Sequence, residues 1–346
     1  MSIETGKAVE RVSYIDYIRA IGIVLMVLAH IPLSSAFVHY VHGFHMPLFF
    51  IVSGYCYKGG KGHLKKTIKK LLVPYFSFSA MAYLLWFVEM RPLSLLDALK
   101  PVTAIFWVNS EGMPLAGALW FLTAMLIVNI IVFCVEERLS SKCKWLVVAA
   151  LFALGLFETR ILPFRLPWSI GAACVGVGYY YFGRLMRCGW NSNMMTKLKS
   201  IPVWTYCIIL IISGCSIMMN GILNMRKGEY ACIPVSIANS VISVCALWLL
   251  FYRISPFVDE KLGHAANEIK RIGQYSVIWL CCNELTINVV WSIMDKMKVH
   301  NLVAEIFLVF VALKFCDKLF TITPLRVLAG FSYVKESTER TPRMFA

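Results

Sequence analysis

Apolar runs long enough to cross a bilayer recur along this chain, and that feature removes most folds from consideration. A helix needs about 17 to 25 predominantly apolar residues to span hydrocarbon, and only helices and closed barrels satisfy their backbone groups there. About ten such runs are present, near 18–38, 44–57, 71–88, 119–135, 145–157, 168–185, 203–219, 236–252, 276–294 and 302–320. Composition agrees: 59% of the 346 residues are hydrophobic and only 15% are charged, with a mean hydropathy of +0.69. A soluble domain has no use for so much apolar surface. A cleaved signal peptide does not explain the first run, because further runs follow it and no small-residue cleavage site closes it. The expected fold is an all-α integral membrane protein, a bundle of about ten transmembrane helices. One membrane domain covers 14–325, between a cytoplasmic segment at 1–13 and a cytoplasmic tail at 326–346.

Lys and Arg in the loops orient the bundle. With the N-terminus in the cytoplasm, the inside segments include "KGGKGHLKKTIKK", "EERLSSKCK", "GRLMRCGWNSNMMTKLKS" and "RISPFVDEKLGHAANEIKR", each with three or more basic residues. The outside loops near 89–118, 158–167, 220–235 and 295–301 hold two each. N-terminus and C-terminus are therefore both expected inside, and the net charge of +15 lies against anionic inner-leaflet lipid. Nucleic acid is not expected as a partner, since no binding motif accompanies the charge. The twelve cysteines show no CxxC and mostly fall inside the runs, where a thiol behaves as a small apolar group.

The first run, "RAIGIVLMVLAH", carries Arg19 at one end and His30 at the other. Eleven positions are about three helical turns, so the two share a face and stand roughly 16 Å apart along the axis. Asp16 lies one turn before Arg19, within pairing reach. Ionisable side chains in a membrane segment are functional candidates by default. Arg19 also suits an interfacial anchor, and His30 a helix–helix hydrogen bond; two on one face favour a shared purpose. Histidine titrates near neutrality and suits removal of a proton from a weakly acidic hydroxyl. His39, His42 and His45 are spaced by three, but Gly43 and Pro47 argue against the unbroken helix that would gather them, and no metal site is expected.

Arg, ten residues, His, and then "FHMPLFFIVSG" resembles the membrane acyltransferases of acyltransferase family 3, most closely the fucose 4-O-acetylase-like O-acetyltransferases. "ALWFL" at 118–122 and "IGQYSVIWL" at 272–280 are similar to that family's fourth span and its glycine-led ninth span. The resemblance implies an O-acyltransferase of the cytoplasmic (inner) membrane, taking an acyl group, usually acetyl, from cytoplasmic acyl-CoA to a hydroxyl of a cell-surface glycan or lipid-linked sugar. Arg19 and His30 match the family's Arg and His, with His30 as general base or acyl carrier. Lys66 and Lys69 in "KKTIKK" stand where the family carries an Arg-x-x-Arg pair for the donor. That is a departure, because Lys lacks the bidentate fork of Arg. Asn283 stands where many relatives place a histidine, and neighbouring Glu284 is a catalytic candidate beside it. His45, Ser53 and Trp120 are candidate acceptor contacts, and Asp16 a supporting residue. Acetyl-CoA or another acyl-CoA enters as donor substrate, with no tightly bound cofactor. The remaining partners are the acceptor glycan or glycolipid and the bilayer, with homo-oligomerisation left open. Two other classes were weighed: a transporter or exporter of a sugar or other small metabolite, which usually shows paired Gly/Pro-broken spans not seen here, and a scaffold, which leaves the Arg–His pair without a purpose.

Overall fold

The structure, a computed structural model, describes residues 13–109 and 111–332. Most of the expected segment 1–13 and of the tail 326–346 lies outside the described residues. The helices are α1 (Ser13–His30), α2 (Ser35–His42), α3 (His45–Tyr55), α4 (Lys61–Met90), α5 (Leu95–Phe106), α6 (Trp120–Arg138), α7 (Ser141–Ile161), α8 (Ile170–Gly189), α9 (Asn193–Ser200) and α10 (Val203–Asn220). A two-stranded hairpin, β1 (Leu223–Asn224) with β2 (Glu229–Tyr230), follows, then α11 (Ile233–Leu262), α12 (His264–Gln274), α13 (Ser276–Lys296) and α14 (Leu302–Ile322). Every apolar run lies largely in helix. Seven segments are long and apolar enough to cross a membrane: α1, α2 with α3, α4, α6 with the turn before it, α10, α11 and α13. Helices α7, α8 and α14 have similar length but carry more charge or less apolarity, as with Glu305, Lys314, Asp317 and Lys318 on α14.

Several boundaries differ from the sequence expectation. The first run does not continue to residue 38: α1 stops at His30, and α2 begins at Ser35 behind Ser34, whose side chain accepts from Phe37 N–H. Pro32 explains the stop, since it donates no N–H and pushes the residue before it out of helical geometry. His30 is thus the last residue of its helix. The stretch 272–280 is also two elements, with Ile272–Gln274 closing α12 and Ser276 opening α13. Gly273 in the last turn of α12 serves packing: a Cβ there would collide with the Asp16 carbonyl, so only glycine lets α12 lie this close to α1.

Helix α1 is central, touching α3, α11, α12 and α13, while α3 lies along α8. The α3–α8 crossing is a backbone-to-backbone contact. A Cβ on Gly54 would overlap the Tyr180 carbonyl, and one on Gly183 would overlap the Ile51 carbonyl. Small residues that let helices approach this closely are the usual means of association in lipid, where apolar burial between helices adds little. The closing glycine of "FHMPLFFIVSG" therefore has a packing role. Pro47 in the same motif falls in the first turn of α3, where a missing N–H costs nothing.

Candidate active site

His30 ends α1 with its ring fixed from behind. Nδ1 donates to the Met26 carbonyl at 2.7 Å, because a carbonyl can only accept, and this leaves Nε2 as the nitrogen without that proton. Nε2 faces Glu284 Oε1 on α13 at 3.8 Å, with side chains 27% and 18% exposed. That gap is beyond hydrogen-bond length. The carboxylate stands on the Nε2 side of the ring, and orienting the ring falls to the Met26 carbonyl, which the sequence did not reveal.

Glu284 is itself held in place. Its Oε2 accepts from Gly117 N–H at 2.6 Å, in the turn just before α6. A Cβ on Gly117 would lie 2.5 Å from Arg226 Nη1 and 2.7 Å from Glu284 Oε1, so guanidinium and carboxylate converge beside this glycine. Arg226 lines a cavity of about 120 Å³ whose walls also include Met26, His30, His42, His45, Trp120 and Lys227, and Glu284 reaches its edge through His30 and Arg226. Arg226 and Lys227, at the turn of the hairpin, were not among the expected site residues. Their signal was weak: two basic residues in a loop on the side where such residues are few.

The hairpin is clamped rather than loose. Arg165, after α7, donates from Nη1 to the Lys227 carbonyl and from Nη2 to the Arg226 carbonyl, the latter at 2.9 Å. Glu158, 1% exposed, stands 3.8 Å from Arg165 Nη2, and Thr159 Oγ1 donates to the Gly228 carbonyl at 3.0 Å. The long stretch before α6 is anchored too. Asn109, fully buried, donates to Thr123 Oγ1 at 2.5 Å and accepts from Ser169 Oγ at 2.8 Å.

The other expected residues divide into two groups. Trp120 and His45 join His30 at the cavity, and Glu284 stands beside it against His30. His45 is buried, with Nδ1 donating to the Val41 carbonyl at 2.8 Å, and its ring stacks on His42 at 5.3 Å. Ser53 does not line the cavity; it sits near the opposite end of α3, roughly 12 Å along the axis from His45. Arg19 lies toward the other end of α1, donating to Cys56 Sγ at 3.6 Å. Asp16 beside it is buried and accepts from Gln274 Nε2 at 3.2 Å. Lys66 and Lys69 are exposed on the first turns of α4. Asn283 is fully buried and donates from Nδ2 to Met26 Sδ at 3.3 Å, one helical turn below His30. Between the two ends of α1, Ile23 and Val27 are sealed in the interior and Met26 is 2% exposed. Among the described residues, no three His, Cys, Asp or Glu side chains are placed to hold a metal ion.

Residues 12–317 match a protein family described as an acyltransferase domain. No curated protein and no solved structure matches the chain.

Proposed function

The chain belongs to the acyltransferase domain family and is an acyltransferase with several membrane-crossing helices; from that premise we propose that it moves an acyl group, acetyl in the first instance, from cytoplasmic acyl-CoA to a hydroxyl of a cell-surface glycan or lipid-linked sugar. In this reading the bundle crosses the cell's inner membrane ten times with both termini inside, and its nearest kin are the fucose 4-O-acetylase-like enzymes. The observation that carries the proposal is the placement of His30. Its Nε2 stands 3.8 Å from the Glu284 carboxylate beside the cavity that His30 lines at one end of α1, while Arg19 occupies the other.

The chemistry follows from that separation. Arg19, with Lys66 and Lys69 from α4, gathers the phosphates of the donor at the inner face, where charge-assisted contacts are strongest to anionic oxygens. The pantetheine arm spans the roughly 16 Å of α1 between Arg19 and His30 and delivers the thioester to the cavity. Nε2 takes the proton of the acceptor hydroxyl as that oxygen attacks the thioester carbonyl. The C–S bond breaks, and the CoA sulfur leaves with the proton returned from the imidazolium. In the carrier variant, Nε2 itself forms the bond to the acyl carbon and the hydroxyl displaces it in a second step. Glu284 stabilises the positive charge that develops on the imidazole, a charge present in the transition state and absent from the resting ring. His45 and Trp120 bound the acceptor.

His30→Gln keeps approximate size and polarity without useful basicity. Labelled acyl-CoA should still bind the reconstituted variant, while transfer to surface polysaccharide, followed by mass spectrometry, collapses. Transfer at the wild-type rate would return His30 to a packing role. Incubation of the wild type with labelled acyl-CoA and no acceptor separates base from carrier, since only a carrier retains acid-labile label on His30.

A further inference from the structure

The cavity at His30 has an imbalance of charge that the acyl transfer itself does not use. Its lining holds two fixed cations, Arg226 and Lys227, beside the imidazoles of His30, His42 and His45, and Glu284 stands behind that lining, 3.8 Å from His30 Nε2. Arg226 converges with Glu284 on Gly117, so that guanidinium and carboxylate offset each other. Lys227 is different. It is exposed at the mouth of the cavity, and among the described residues its ammonium has no hydrogen-bond or ion-pair partner. Glu229, the acidic residue of the same hairpin, is exposed on the second strand and does not line the cavity.

A lone cation on a loose loop would carry little meaning. Here the loop is fixed at the residues that bear the charge. Arg165 holds the carbonyls of Arg226 and Lys227, and Thr159 holds the Gly228 carbonyl. Asn224 Oδ1 accepts from Lys227 N–H at 3.2 Å. The clamp is itself backed by Glu158, a carboxylate buried to 1% exposure beside Arg165. Burying an ion pair beneath a surface hairpin is costly, and its geometric effect is to set the backbone from which the Lys227 side chain rises. A side chain so placed is pre-organised, which lowers the ordering cost of binding.

We infer that the acceptor presents an anionic group, a phosphate or a carboxylate, to Lys227 at the mouth of the His30 cavity. The inference rests on the acyl-transfer reading for the word acceptor, and it narrows that reading to acidic sugars or sugars carried on a phosphate. The anion docks on Lys227, outside the Glu284–Arg226 pairing, and the hydroxyl to be modified reaches inward toward Nε2. Lys227 is a specificity-determining residue in this arrangement, and it takes no part in bond making.

The test uses the full chain in neutral detergent and reads carbethoxylation of His30 by diethyl pyrocarbonate through peptide mass spectrometry. The probes are dodecyl phosphate for a lipid-borne anion and glucuronate for an acidic sugar, with dodecyl glucoside and glucose as neutral counterparts. One or both anionic probes should slow modification of His30 in the wild type, and added salt should weaken the protection. Lys227→Gln, at an exposed position where folding is not at risk, should raise the half-protecting concentration about threefold, as for a partly solvated ion contact. Protection by dodecyl phosphate alone identifies a lipid-borne anion, and protection by glucuronate alone an acidic sugar. Equal protection by the neutral counterparts, or protection unchanged in Lys227→Gln, overturns the inference. Its failure is distinct from failure of the enzymatic reading: protection without any acyl transfer removes the latter alone. Transfer to neutral glycans with a KM indifferent to Lys227→Gln removes the former alone.

Discussion

Replacing Glu284 with Gln removes a charge and keeps an acceptor, which isolates what the carboxylate contributes to turnover. The amide oxygen of Gln still accepts from Gly117 N–H, so the turn before α6 stays anchored as in the parent, where that bond is 2.6 Å. What is lost is attraction between the carboxylate and the imidazolium that forms on His30. At the observed 3.8 Å and an effective dielectric of about 20, that attraction is about 4 kcal/mol before solvent screening. Both side chains are partly exposed, 27% and 18%, and screening on that scale leaves about 1 to 2 kcal/mol. Each 1.4 kcal/mol is a factor of about ten, so kcat should fall roughly 5- to 30-fold. KM for acyl-CoA should hold steady, because the donor contacts proposed above lie at the Arg19 end of α1. The assay is the initial rate of label transfer from acyl-CoA in reconstituted vesicles, across donor concentrations. Glu284→Ala provides the contrast: it also orphans the Gly117 N–H, which costs about 1 to 3 kcal/mol of stability if that group is buried, so its melting temperature should drop where that of Glu284→Gln does not. A Gln variant with wild-type kcat, or with its whole defect in KM for the donor, would refute the role given to the carboxylate.

Three further outcomes are expected. Gly54→Ala should abolish a monodisperse, folded protein in detergent, because the added methyl meets the Tyr180 backbone, which cannot swing aside as a side chain would; normal melting would show that the α3–α8 crossing has slack. Arg19→Ala should raise KM for acyl-CoA, and the Lys66→Ala, Lys69→Ala pair should do the same with a defect that grows with salt; donor binding unchanged at every salt concentration would make the lysines a membrane-surface patch. In a background stripped of native cysteines, single cysteines within Arg226–Glu229 should label from outside the cell and those within Gly59–His63 should not, and the reverse pattern would overturn the orientation.

The parts of the site that were legible in the sequence belong to short segments governed by local rules. Arg19 and His30 share α1 because nothing between them interrupts a helix, and a turn at Gly43 and Phe44 does divide α2 from α3, with Pro47 inside the first turn of α3. The end of α1 at His30 was hidden, since apolar residues continue past Pro32 to Val38 and hydropathy outweighs a single breaker in such a reading. Glu284 was visible as an intramembrane acid, but its anchor, Gly117, lies 167 positions away, and no periodicity links them. The hairpin was missed for a different reason: strands of two residues are too short to alternate. Whether a basic loop faces solvent or the His30 cavity depends on the long-range clamp from Arg165.

The α3–α8 contact also determines which wall of the cavity can move. Helices joined through backbone carbonyls slide only if main chains separate, so α3, and His45 with it, behaves as a fixed rail. Helix α2 has no such weld. Val41 is its one buried residue, and it is joined to α1 by the irregular residues 31–34. Its other end is pinned at Gly43, whose carbonyl accepts from Ser240 Oγ at 2.6 Å. Side chains alone hold α2 against α1 and α10, with Tyr40 seated over Gly214. His42, beside the Gly43 anchor, is the residue of α2 on the cavity wall, so the stacked pair His42–His45 joins a wall set by side-chain packing to one set by backbone contact.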